Sequence, residues 1–198
     1  MTGAPWLLET DVETNGTGRG VHVLEVGFRV LDRDLEALAE QAWVVPYTPA
    51  WVAALQARVD PVVQDMHDRS GLWVACMQEA ERSDRYDPAD HVDEWHESLV
   101  GEIAEWVAVN APGKLRLCGS SVHHDRDWLI DFVPGFADMI HHRVVDVSTV
   151  KSLVEEWWPE LAQGRPEPRK RHRVLPDMED TSAEMAFYRS RLGLAVSA

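Results

Sequence analysis

The chain has 198 residues, 45% of them hydrophobic, enough for one good-sized core and read here as one domain. Its formal net charge is −15, which argues against tight, non-specific binding of long nucleic-acid polymers, because those are held by basic surfaces. No apolar run approaches the ~20 residues of a bilayer span, and the opening MTGAPWLLETDVE meets acid early without a basic start, so it does not read as a secretory signal.

Residues 6–13 read as a strand, Asn15 to Gly20 as a hairpin turn, and residues 21–31 as a second strand. Residues 34–47 conflict: DLEALAEQA favours helix by propensity and AWVVPY favours strand. Residues 49–80 read as two helices around MHDRSG, and 81–91 as a charged loop. In 92–110, Val92, Trp95, Leu99, Ile103, Trp106 and Val107 recur at helical spacing, and Ala111-Pro112-Gly113 stops the helix. Leu115–Gly119 reads as a buried strand, 125–133 as a helix, 143–147 as a short strand and 148–158 as a helix. After a loop over 161–171, a last helix is expected over 180–192, with Asp180 or Thr181 as its N-cap. Three strands followed by helices alternating with strands describe an α/β fold with a mixed sheet covered by helices.

Nine tryptophans read as core and interface anchors. Cys76 and Cys118 lack a C-x-x-C spacing and read as reduced, buried thiols of a cytoplasmic protein. The chemistry lies in three blocks. Asp11 and Glu13 in LLETDVETNG form a D-x-E pair, which a strand points to one face. Asp125 lies in CGSSVHHDRDWL, and His172 and Asp177 lie in RHRVLPDMED. Four carboxylates can hold two divalent cations ~3.5–4 Å apart, and an imidazole can take a proton from an attacking water. A bland account exists for each: Asp11 and Glu13 as solvated acids at a strand end, Asp125 as a helix N-cap, Asp177 as a cap, His172 as an exposed loop histidine. His123 and His124 beside Asp125 also suggest zinc, but dominant carboxylates suit magnesium or manganese better. The basic stretch 165–173, RPEPRKRHR, is either an exposed proline-containing loop or a positive flap beside the scissile phosphate.

These three blocks, in this order and spacing, resemble the DEDDh 3′–5′ exonucleases; the H-x-x-x-x-D of HRVLPD marks the subclass. IHHRVVDVSTVKSLVEEWWPE over 140–160 and AEMAFYR over 183–189 narrow the resemblance to the oligoribonuclease branch, from about Trp6 to Leu192. The resemblance implies an RNase H-like fold, with a third strand in 34–47 and a five-stranded mixed sheet flanked by helices. It implies Asp11, Glu13, Asp125 and Asp177 as ligands of two Mg2+ or Mn2+ ions and His172 as general base. Short single-stranded oligonucleotides, with RNA favoured, are the implied substrates, and a homodimer with 140–158 near its interface is the implied assembly. Ser121, Arg143 and Ser148 match positions that bind the 5′ phosphate of a dinucleotide, and His67 matches a histidine lining the nucleotide site. Glu184 matches a glutamate of the last helix, for which a structural salt bridge suffices. The chain departs from the branch where bases stack: Thr17 stands for the usual leucine, His142 for a tyrosine reaching in from the partner subunit, and a tryptophan is replaced near Val62. Stacking contributes ~1–3 kcal/mol per base, so these departures bear on length and sugar preference. A DNA-directed exonuclease of the same subclass, or a non-catalytic nucleic-acid-binding protein on this fold, are the alternatives.

Overall fold

The structure, a computed structural model, describes residues 3–16, 21–82, 93–169 and 171–193, with only the backbone for 93–96. Thr17, Val92, Lys170 and most of the expected loop at 81–91 lie outside the described residues, as does the side chain of Trp95. A five-stranded sheet runs β3 (Ala37–Val44), β2 (Val23–Leu31), β1 (Leu7–Thr14), β4 (Arg116–Gly119), β5 (Val145–Asp146). The three N-terminal strands pair antiparallel, and β1–β4 and β4–β5 pair parallel, giving the mixed sheet expected. Asn15 closes the first hairpin, accepting the His22 amide at 2.7 Å through its side chain.

The strands' two-residue period sorts the two faces. Leu8 and Val12 of β1 join Val26, Phe28 and Val30 of β2 in the main core, where Phe28 meets Trp43, Trp106 and Phe136 at ring-centroid distances of 5.8–6.2 Å. This face is covered by α1 (Pro49–Gln56), α3 (Leu72–Arg82), α4 (Asp93–Asn110), α5 (His123–Phe132) and α6 (Phe136–Met139). The opposite face carries the alternate residues Leu7, Glu9, Asp11 and Glu13, together with Glu25, Gly27, Arg29 and Leu31. There α7 (Val147–Trp157) and α8 (Val174–Arg191) pack on a smaller core of Leu7, Leu31, Cys118, Val147, Val154 and Tyr188. Both cysteines are free and buried, and burial pushes the Cys76 thiol up to about 12.

Three helices, not two, fill 49–82. Thr48-Pro49 and Asp60-Pro61 each place a capping side chain before a helix-starting proline, and Gly71, in the left-handed region, ends α2 (Pro61–Ser70). The segment MHDRSG is thus the end of a helix rather than a connector. The last helix begins six residues before the expected Asp180, so Asp180 and Thr181 are not its caps. Pro176 falls in its first turn, where an absent N–H is tolerated, and the Val174 amide is bound by Glu25 from β2 at 3.2 Å.

Gly27 lets α8 lie directly on the sheet. A Cβ there would come within 2.7–2.9 Å of Val174 and Met178. Gly27→Ala is therefore expected to destabilise the protein by ~1–3 kcal/mol. It should also lower turnover, because α8 carries Asp177. Thermal unfolding and steady-state rates on one preparation check both.

Candidate active site

Asp11 and Glu13 project from β1 toward α8, and Asp125 reaches them from the first turn of α5. The Asp125 carboxylate accepts the Val12 amide at 3.0 Å, tying α5 to the strand between the two acids. It thus binds the β1 backbone as well as its own amide in the first turn of α5, and it is not the N-cap, because the helix starts earlier at His123. Asp177 lies in the first turn of α8 and turns back to accept the amides of Arg171 and His172 at 3.2 and 3.1 Å. Glu13, His172 and Asp177 each offer a ligand atom within 4.8 Å of the others, close enough to share a cation. Asp11, His172 and Asp177 line one cleft of about 230 Å3 with Ser120, Lys151 and Glu184. Three of the five residues expected from the sequence blocks thus line the cleft; Glu13 lies within ligand distance of His172 and Asp177, and Asp125 is tied to the strand between Asp11 and Glu13.

The cleft is a site of frustrated charge. Burial raises Asp11 well above the usual carboxylate range, with Asp125, Glu13 and Asp177 adding repulsion. Glu13 is pushed up to about 8 by burial, then by Asp177, Glu25 and Asp125, with Arg173 opposing. Asp125 is pushed up to about 7 by burial, against the pull of two backbone N–H groups. Burial also raises Asp177, while His172 and two backbone amides oppose the rise. Hard oxygen donors held together at this cost fit a divalent cation, whose charge would offset their repulsion.

The sign of the resulting pH dependence follows. Carboxyl groups raised in the folded state bind more protons there than in the unfolded chain, where their values lie near 4. Their stabilising contribution is complete below pH ~4 and is lost as pH rises through the folded values of about 7 and 8. In EDTA the melting temperature is expected to fall between pH 5 and pH 8.5, by a slope approaching ~1.4 kcal/mol per pH unit per proton. Saturating Mg2+ or Mn2+ should flatten that fall. Thermal unfolding across pH with and without the cation checks it.

Other expected residues fall into three groups. Ser121 and Ser148 place their Oγ atoms 3.1 Å apart at the start of α7, and Ser120 Oγ lies 3.0 Å from Ser148. The Asp146 carboxylate takes the amides of Ser121 and Ser148, which fixes the backbone on either side of this hydroxyl cluster. Arg143 and His142 are exposed nearby, with the His142 ring stacked on His141 at 4.2 Å. His67 is fully buried rather than open to the cleft: its Nε2 lies 2.8 Å from the Thr14 carbonyl and its ring abuts Trp73.

The basic stretch is largely neutralised. Arg165 pairs with Glu155 and Glu184, Arg169 with Glu179 and Asp180, and Arg173 with Glu25. Among its described arginines only Arg171 makes no ion pair. Glu184 also accepts from Tyr188 at 3.1 Å, the structural role its position suggested.

Sequence reasoning missed two buried acids. Glu9 receives Ser182 Oγ on both oxygens at 2.9 Å and faces Arg29; burial, opposed by both partners, leaves it at about 7. It continues the E-x-D-x-E alternation of β1, a legible signal. Glu25 pairs in register with Glu13, which only the hairpin register reveals.

A mixed sheet of this order, flanked by helices and with a carboxylate cleft under its last helix, is the RNase H-like fold. Exonuclease I shares that fold: its zinc-bound E. coli complex with single-stranded DNA superposes with TM-score 0.66 at 12% identity. That match covers 94% of this chain but 41% of exonuclease I, so the chain spans about two-fifths of its length. No family model matches. The oligoribonuclease of Shewanella amazonensis is 31% identical over 188 residues, covering 94% of each chain. That of a Mycobacterium species is 32% identical over 184 residues, covering 92% of this chain and 79% of its own. The chain belongs to the oligoribonuclease family.

Proposed function

We propose that the protein is a 3′–5′ exoribonuclease that degrades short single-stranded oligoribonucleotides to 5′-mononucleotides. The observation that carries this reading is a cleft lined by Asp11, His172 and Asp177 with the buried carboxylates of Glu13 and Asp125 beside them, in a chain with near-full-length kinship to oligoribonucleases. His172 accepts a proton from the attacking water at an imidazole nitrogen. Water oxygen bonds to the terminal phosphorus, the P–O3′ bond breaks, and the departing O3′ is protonated from solvent. Asp11, Glu13, Asp125 and Asp177 would hold two Mg2+ or Mn2+ ions, which when bound supply charge to activate water and stabilise the leaving oxygen.

The hydroxyls of Ser121 and Ser148, with Arg143, form the cap for a 5′ phosphate; arginine suits it through its planar fork of donors. A cap at a fixed distance from the cleft limits substrate length. That also reconciles a nuclease with a net charge of −15, since a short oligonucleotide needs only a local pocket. His142 lies beside this cap, whereas His67 acts from beneath, holding the end of β1 through Thr14. The working form is a homodimer through 140–158, where Leu153, Trp157 and Trp158 are exposed by 39%, 61% and 43%. Among the described residues no helix is long and apolar enough to cross a membrane.

Incubating 5′-labelled RNA dinucleotide with the protein and Mg2+ or Mn2+ tests this reading. Release of the labelled 5′-mononucleotide, stopped by EDTA, is the expected result; an intact dinucleotide with either ion would overturn it.

A further inference from the structure

We propose that Glu25 and Arg173 form a clamp that positions His172 for proton transfer. The inference rests on reading His172 as the proton acceptor. Glu25 is buried on β2, directly opposite Glu13 in the antiparallel register. Its carboxylate takes a two-pronged contact from Arg173, with Nη2 at 2.6 Å and Nε at 2.9 Å, and also binds the Val174 amide at 3.2 Å. Such a fork fixes the plane of both groups as well as their separation.

The residue immediately before Arg173 is His172, whose φ of 49° lies in the left-handed region. A non-glycine residue holds that conformation only at an energetic cost, so neighbours must over-determine it. They do so on both sides. Asp177 accepts the amides of Arg171 and His172, and Glu25 holds Arg173 and Val174. Val174 is in turn pressed against the sheet over Gly27. The imidazole is thereby placed relative to Glu13 through a single residue pair between neighbouring strands, without relying on the preceding loop. An ion pair with one partly exposed partner stabilises a fold little, which leaves orientation as its use here.

Arg173 also opposes, and Glu25 adds to, the upward push on Glu13, so the test uses variants that keep each charge and change only the geometry. It measures kcat and KM on the RNA dinucleotide for the wild type, Arg173→Lys, His172→Asn and the double variant. Arg173→Lys keeps the charge but loses the two-pronged fork, and is expected to lower kcat by ~10-fold or more through misplacement of the base. KM should stay within about threefold. In the His172→Asn background the same change should alter kcat by less than about twofold, the two residues acting as one unit. Equal losses in both backgrounds, or no loss of kcat in the first, would overturn the clamp. If Arg173→Lys does not fold, Glu25→Asp, which keeps its charge and shortens its reach, enters the same cycle with the same expectations. An inactive wild type would instead strike the nuclease reading.

Discussion

Asp125→Asn is expected to lower hydrolysis by ~10²–10³-fold or more, as removal of a preorganised charge from a reacting centre does. The fold should survive. Asparagine matches aspartate in shape, and its Oδ1 can still accept the Val12 amide that now reaches Asp125 at 3.0 Å. What changes is charge. Asp125 repels Asp11 and Glu13, and its own carboxylate is pushed up to about 7 by burial. Its neutralisation relieves that repulsion, so metal-free Asp125→Asn should melt at or above the wild-type temperature near pH 8. Stability and activity thus move in opposite directions, which a variant harmed by misfolding would not show. Melting curves in EDTA beside rates in Mg2+ check the pair of effects.

Loss of His172 is the second large effect. A general base contributes ~10²–10⁴-fold, so turnover should fall by that order while carboxylate binding of a cation persists. His172→Asn is the cleaner variant. Asparagine, like histidine, tolerates the left-handed backbone at φ 49° better than alanine does. Mn2+ titration by calorimetry separates the imidazole's roles. Unchanged Mn2+ affinity with lost turnover supports a base; weakened affinity makes the imidazole a ligand, as its place beside Glu13 and Asp177 would allow. Full turnover removes His172 from the mechanism.

The site was more legible in the sequence than the helices that build it. Period-two alternation put Asp11 and Glu13 on one strand face, and the resemblance of the ordered blocks to the DEDDh exonucleases selected Asp125, His172 and Asp177. Their convergence needed the fold, because Asp125 reaches β1 across 113 positions of sequence. The start of α8 was hidden for the same reason: its first amide is bound by Glu25 from 149 positions away, and Pro176 reads locally as a breaker. The arginines of 165–173 suggested a positive flap as readily as a loop, yet the acids that neutralise them lie on α7, α8 and β2. Local propensity carries no record of such partners. Helix starts at Thr48-Pro49 and Asp60-Pro61 were readable, since cap and proline adjoin in the sequence.

The most direct test of the central claim is the rate of degradation of 5′-labelled two-, three-, five- and ten-residue RNA and DNA in Mg2+, with Asp125→Asn as control. Fastest cleavage of the RNA dinucleotide, slowing with length and absent in the control, is the result expected of a phosphate cap at fixed reach. Preference for the longer DNA would contradict it and make Thr17 and His142 the marks of a changed substrate.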